Sequence, residues 1–312
     1  MTIRQQNCVN PVTPHLATHS IRVPNTTADE LCFCDVCCVE MRLHPLSCTH
    51  CKYKVHTKIT KSRLCVSPGN TSIGDDDKNG LMAAVHKLDR TKGLDLLLHT
   101  PGGDLAATES IVDYLHRMFG RNIRAIIPQL AMSAGTMIAC ACQEVVLGKQ
   151  SNLGPIDPQF GRIPAHGVIK EFKEAILAVK KDPASLPIWR EVVSKYHPTF
   201  IGKCRNAVQF ANEMATEWLK TGMFSGDPNA AEKAAKVVGY LGDHDNTKTH
   251  ARHINIDEAI AIGMKIVRME ESQPVQDTVL TVHHAFMHTF ANSKAIKIIE
   301  NQIDNAVIAV RG

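Results

Sequence analysis

The chain is predicted to be an α/β protein built on parallel strands, and three observations carry that prediction. Short apolar runs at 95–99, 123–128 and 145–147 have the length of buried strands. Stretches of helical period separate them. The first two runs each end in a turn of small residues that opens the next helix. The order is β-α-β-α-β with short connections, for which right-handed crossovers are expected.

The run Asp95-Leu-Leu-Leu-His99 stops at Thr100-Pro101-Gly102-Gly103. In the helix that follows, Ile111, Val112, Leu115, Met118 and Phe119 share one face, and Gly120 ends it. A second strand at 123–128 leads through Ala131-Met132-Ser133 into a helix at 133–142. Beyond residue 167 the chain reads as helical, with candidates at 168–181, 198–219, 229–241 and 277–290. A short helix at 256–262 precedes a strand at 265–268.

Composition excludes several functions. The formal net charge is +4 with neutral histidines, too small and scattered for a nucleic-acid footprint. Aromatic residues make up only 5%, few for base-stacking surfaces. No membrane span is expected: the most apolar stretch, 123–147, is broken by Arg124, Pro128, Gln129 and Ser133. The first ten residues are polar and no apolar run follows, so the expected compartment is the cytoplasm.

Two turns carry chemistry together. In His99-Thr-Pro-Gly-Gly103, adjacent glycines let backbone N–H groups approach a ligand. In Ala131-Met-Ser-Ala-Gly135, Ser133 stands at a helix N-terminus, whose partial positive charge favours an oxyanion. Acyl transfer needs a nucleophile and preorganised N–H donors, here Ser133 with Gly102, Gly103 and Ala134. Each feature alone also reads as an ordinary turn or an N-cap. The motif departs from G-x-S-x-G, because Ala131 replaces the first glycine.

The stretches LLLHTPGGDLAATESI and PQLAMSAGTMIACACQEVVLGKQSNLGPIDPQ resemble the ClpP/crotonase superfamily. Within it they are most similar to the serine dehydrogenase proteinase family, which is related to SppA signal-peptide peptidases. KYHPTFIGKC, WLKTGMF and TKTHARHINIDEAIAIGM look like the same family, so the resemblance runs from about Asn70 to near the C-terminus. It implies a ClpP/crotonase-like spiral of βαβ units with a helical C-terminal half. It also implies peptide-bond hydrolysis without a cofactor, a protein or peptide substrate, and homo-oligomers. The Pro-Gly-Gly turn of the family maps to Gly102 and Gly103, and its nucleophile to Ser133.

The family is described as using Ser, Asp and His. Asp157, in Gly154-Pro-Ile-Asp-Pro158, fits the Asp position, although it also reads as a turn aspartate. The histidine candidates are His197, ahead of a long helix, and His166. A lysine base, Lys170 or Lys173, is the alternative. An imidazole must be neutral to accept the Ser133 proton, so a histidine base makes activity rise with pH through the neutral range.

Eight of the 11 cysteines lie between Cys8 and Cys65. Residues 1–66 lack a clear period and read as a separate Cys-rich segment, ahead of a peptidase domain at 67–312. Cys34, Cys37, Cys48 and Cys51 form two C-x-x-C pairs that could hold a structural zinc. Two other functions stay open: a crotonase-like acyl-CoA enzyme, which would not need Ser133, and a non-catalytic zinc-binding interaction protein. An apolar face of Val279, Leu280, Val282, His283, Phe286 and Met287 is expected to drive self-assembly, with packing on the chain's own core as the alternative.

Overall fold

The computed structural model describes residues 30–32, 54–56 and 62–68 as backbone, and 72–312 except 162 and 304. The zinc candidates Cys34, Cys37, Cys48 and Cys51 lie outside the described residues. Two short strands, β1 (Glu30–Cys32) and β2 (Lys54–His56), pair antiparallel. The expected boundary at residue 66 falls inside a strand. β3 (Ser62–Pro68) pairs parallel with β4 (Leu94–Leu98), so residues 62–66 join the main sheet.

That sheet continues through β5 (Ile123–Ile127), past a two-residue strand β6 (Leu130–Ala131), to β7 (Glu144–Leu147). Three short strands follow: β8 (Asn152–Leu153), β9 (Gln159–Phe160) and β10 (Ile163–Pro164). β11 (Ile266–Arg268), β12 (Ala295–Asn301) and β13 (Ala306–Val310) complete the set. The seven-stranded order is β11-β7-β5-β4-β3-β12-β13. The strands from β11 to β3 are parallel, and β12 and β13 add an antiparallel edge. The architecture is α/β, as expected.

The parallel strands are apolar because both faces are covered. Side chains alternate along each strand. Leu94, Leu96 and Leu98, with Ile123, Ala125 and Ile127, enter the larger core. The helices of that side are α1 (Asp75–Val85), α2 (Leu105–Phe119) and α3 (Ala134–Cys140). Asp104 starts α2 by accepting from Ala107 N–H at 2.8 Å, and Gly120 ends it at φ 63°. Leu97, Ile126 and Val146 point the other way, into a second cluster.

Beyond β10 the helices are α4 (Ala165–Lys181), α5 (Leu186–Val193), α6 (Phe200–Thr221) and α7 (Ala230–Leu241). Then come α8 (His244–Thr247), α9 (Ile256–Ala261) and α10 (Gln273–Asn292). α6 and α7 pack their buried faces on the larger core. α10 covers the opposite face of the sheet: Val279 joins Leu97, Ile126 and Val146, while Phe286 joins Ala295 and Ile298. The face expected to drive self-assembly is therefore largely spent inside the subunit. Val279, His283 and Phe286 are buried, and Val282 and Met287 pack beside them. The exposed apolar side chains lie elsewhere, among them Ile176 and Leu177 on α4 and Leu186 and Ile188 on α5.

Charges also tie the sheet. Asp95, Arg124 and Glu144 stand in register on neighbouring strands, and Arg124 bridges both carboxylates. Lys297 on β12 pairs with the buried Asp77 at 2.6 Å, which fixes the first turn of α1 to the edge of the sheet. Among the described residues no helix is long and apolar enough to cross a membrane. No cluster of metal-binding side chains occurs among them either.

His99, just past β4, and His283 of α10 meet edge to face at 4.9 Å between sheet and helix. Burial pushes each from the ordinary 6.5 down to about 4. Both therefore stay neutral in the folded protein where the unfolded imidazoles already bind protons. Stability should fall as pH drops from about 6.5 to about 4, by about 1.4 kcal/mol per pH unit for each histidine at most. Urea unfolding followed across this window is expected to show the decline, and His283→Phe should flatten it. A midpoint in urea that is constant from pH 7 to pH 4 would contradict the neutral pair.

Candidate active site

Four short backbone segments lie side by side at the C-terminal ends of the strands. Thr100 bridges Ala131 in parallel, Ala131 pairs with Leu153 in parallel, and Leu153 bridges Ile254 antiparallel. The bonds are Thr100 N–H to Leu130 O at 3.1 Å, Met132 N–H to Thr100 O at 3.0 Å, and Asn152 N–H to Gln129 O at 2.7 Å. Leu153 and Ile254 exchange two bonds of 2.9 Å. Chain direction then sets what gathers at one rim. Two residues after Thr100 comes Gly102, two after Ala131 comes Ser133, and four after Leu153 comes Asp157. Because Ile254 runs antiparallel, the residue four before it, His250, returns to the same end.

Ser133 sits at the junction of β6 and α3 with φ 50° and ψ −113°, a conformation side chains rarely adopt. Its hydroxyl makes no capping bond, so it is not spent on its own helix. Gly102, at φ 107°, comes close to it. A methyl added to Gly102 would stand 2.8 Å from Ser133 Cβ and 2.8 Å from Met132 O. Only glycine permits this approach of the two turns.

The donors divide. Gly102 N–H donates to Thr100 Oγ1 at 3.1 Å, so Gly102 supplies close approach and not a free donor. Gly103 and Ala134 N–H make no hydrogen bond among the described residues. Gly103 is locked against Ile73, whose N–H donates to Gly102 O at 2.8 Å and whose carbonyl accepts from Asp104 N–H at 2.9 Å. A Cβ on Gly103 would come 2.3 Å from the Ile73 backbone, so any side chain there displaces the turn itself.

Asp157 is fully buried. Its Oδ1 accepts from His250 Nδ1 at 2.7 Å, and its Oδ2 from His244 Nδ1 at 3.3 Å. A carboxylate only accepts, so each Nδ1 carries the hydrogen. In a neutral ring that leaves Nε2 as the basic nitrogen, the tautomer a general base requires. Thr136 steadies the loop before Asp157: its Oγ1 lies 2.7 Å from Ala131 O and 2.9 Å from Gly154 O, and accepts from Gly154 N–H at 2.9 Å.

The two histidines expected for this role are placed otherwise. His197 is exposed between α5 and α6, with Nδ1 2.6 Å from Pro198 O. His166, in the first turn of α4, has a buried Nε2 with no partner among the described residues, and Asp157 does not pair with it. Lys170 is exposed and paired with Asp245 at 3.1 Å, which raises its pKa, the opposite of what a lysine base needs. Lys173 is exposed. His244 and His250 escaped the sequence reading because nothing local marks them. The signal at hand was Thr247-Lys-Thr-His-Ala-Arg-His253, a stretch already singled out for its resemblance.

A model of the ClpP-like SDH-type serine proteinase family matches residues 67–271. An uncharacterized protein of Methanocaldococcus jannaschii is 34% identical over 191 residues, covering 61% of this chain and 59% of its own length. A second uncharacterized protein of that organism is 27% identical over 201 residues, 64% of this chain and 63% of its own length. The chain thus spans about three fifths of these relatives. An ATP-dependent Clp protease proteolytic subunit of Streptococcus thermophilus is 31% identical over 90 residues, 28% of this chain and 44% of its own length.

The buried carboxylate makes a spectroscopic expectation. In protein labelled with nitrogen-15, His244 and His250 should both show protonated Nδ1. Asp157→Ala removes the acceptor and should shift both rings toward the Nε2–H tautomer that free imidazole prefers. Unchanged ring tautomers in a folded Asp157→Ala protein would mean that Asp157 does not orient them.

Proposed function

Because the chain belongs to the ClpP-like SDH-type serine proteinase family, we propose that it is a serine endopeptidase working through an acyl-enzyme on Ser133. The observation that supports the reading is the four-segment ladder, from which the chain leads to Gly102, Ser133, Asp157 and His250 at the same end, with His250 bonded to Asp157.

Each part has a role. His250 Nε2 takes the proton of Ser133 Oγ as the oxygen attacks the substrate carbonyl carbon. Gly103 and Ala134 N–H receive the negative charge that develops on the carbonyl oxygen. The C–N bond then breaks, the amine leaves with the proton from His250, and the acyl group remains on Ser133 as an ester. Water, deprotonated by the same nitrogen, frees the acid and restores the hydroxyl. Asp157 holds the His250 ring in register and stabilises the imidazolium formed in passing. His244 shares the carboxylate at the longer distance and is assigned to holding its plane.

The exposed Ile176, Leu177, Leu186 and Ile188 of the α4–α5 arm are the surface on which copies would assemble, and the substrate is a protein or peptide. No metal enters the reaction as drawn.

A fluorophosphonate probe tests the nucleophile: the wild type should be labelled at Ser133 and Ser133→Ala should not. Ser133→Ala and His250→Ala should each cost peptide hydrolysis at least about a thousandfold, whereas His244→Ala should cost far less. Asp157→Asn should approach the loss of His250→Ala with the fold intact by circular dichroism. Hydrolysis that survives in folded Ser133→Ala would overturn the assignment. Turnover of an acyl-CoA thioester without probe labelling would favour the crotonase-like reading instead.

A further inference from the structure

A cavity of about 750 Å³ adjoins the reactive turns on the face of the sheet opposite α3. Alternation along the chain puts it there. The Thr100 methyl faces α3, since a Cβ on Gly135 would meet it at 2.4 Å. His99 and Pro101, one residue either side, turn to the opposite face, where α10 lies, and both line the cavity. Leu130 lines it as well, immediately before Ala131 on the way to Ser133. The cavity wall and the oxyanion turn are therefore consecutive peptide units. Pro101 stands two residues from Gly103, about 7 Å of extended chain.

The lining has a definite chemistry. Pro101, Leu130 and Phe290 make an apolar wall. Lys294 and Arg311 add two exposed cations; no lining side chain is Asp or Glu, and with Gly312, which carries the terminal carboxylate, also in the wall, the lining stays net positive. His99 is more than nine-tenths buried, and its Nδ1 has no hydrogen-bond partner among the described residues. The volume falls in the range of pockets that bury a drug-sized ligand.

We infer that this cavity is a substrate subsite that receives a bulky apolar side chain flanked by a carboxylate, so that acidic, apolar-containing peptides are the preferred class. The inference rests on the peptidase reading for its position beside the scissile bond. The apolar wall takes the bulky side chain. Lys294 and Arg311 draw the carboxylate. An uncharged or basic neighbour would leave the two cations unanswered.

Binding can be read apart from turnover in full-length Ser133→Ala. Short fluorescein-labelled peptides with central Phe-Glu, Phe-Gln, Phe-Lys and Ala-Glu would be compared by anisotropy. Phe-Glu should bind about tenfold tighter than Phe-Gln and more tightly still than Phe-Lys, with the preference weakened by salt. Exchange of the exposed pair, Lys294→Gln with Arg311→Gln, should erase the Glu-over-Gln preference while the Phe-over-Ala preference remains. Equal affinity for the three Phe peptides, or a preference that survives the double exchange, would overturn the subsite. If wild type cuts all four peptides equally, the subsite fails and the peptidase stands. If the Glu preference holds but no peptide is cut, the peptidase reading fails and the cavity stands as a peptide site.

Discussion

The backbone ladder running from Thr100 through Ala131 and Leu153 to Ile254 is the interaction on which the site depends. Its residues come from four stretches spread over more than half the described chain. None of those stretches is long enough to be a stable strand alone, since β6 and β8 have two residues each. They hold because the main sheet delivers their starting points: β4 and β5 are in register, and the chain leaves both at the same edge. The ladder converts that shared edge into a fixed spacing between the turns.

Two further constraints tighten this frame. The absence of a side chain at Gly102 lets the Pro-Gly-Gly turn touch Ser133, and the Ile73 backbone pins Gly103 from behind. The burial of Asp157 forces it to find partners, and it finds two imidazoles. A buried carboxylate with one partner removed keeps its desolvation cost, so the loop of Asp157 and the segment around His244 and His250 are coupled in stability as well as in chemistry.

The two faces of the sheet divide the labour. Leu96 and Leu98 face the core beneath α2 and α3, which aims the N-terminus of α3 at the rim. Leu97 and His99 face α10, where they support both the buried histidine pair and the cavity. A change at the α10 face can therefore reach the Pro-Gly-Gly turn through two peptide units, from His99 to Pro101, without altering Ser133 or its helix.

Local order was legible in the chain. The apolar runs around Leu96, Ala125 and Val146 announced buried parallel strands, and the spacing of Ile111, Leu115 and Phe119 announced α2, because period and burial are properties of neighbours in sequence. The turns that hold Ser133 and the glycine pair were legible for the same reason, each being a strand–turn–helix junction. β12 and β13 were missed, and so was the role of residues 62–66, because strands at this end of the sheet take their identity from their partners. The apolar face of α10 was visible, but whether it meets a second copy or its own sheet depends on how the chain returns, and it returns to the sheet. The partner of Asp157 was beyond reach for a related reason. Sixteen histidines are chemically alike in a sequence, and the choice of His250 over His166 or His197 follows from the antiparallel bridge between Leu153 and Ile254, a contact separated by about a hundred residues that exists only once the fold has formed.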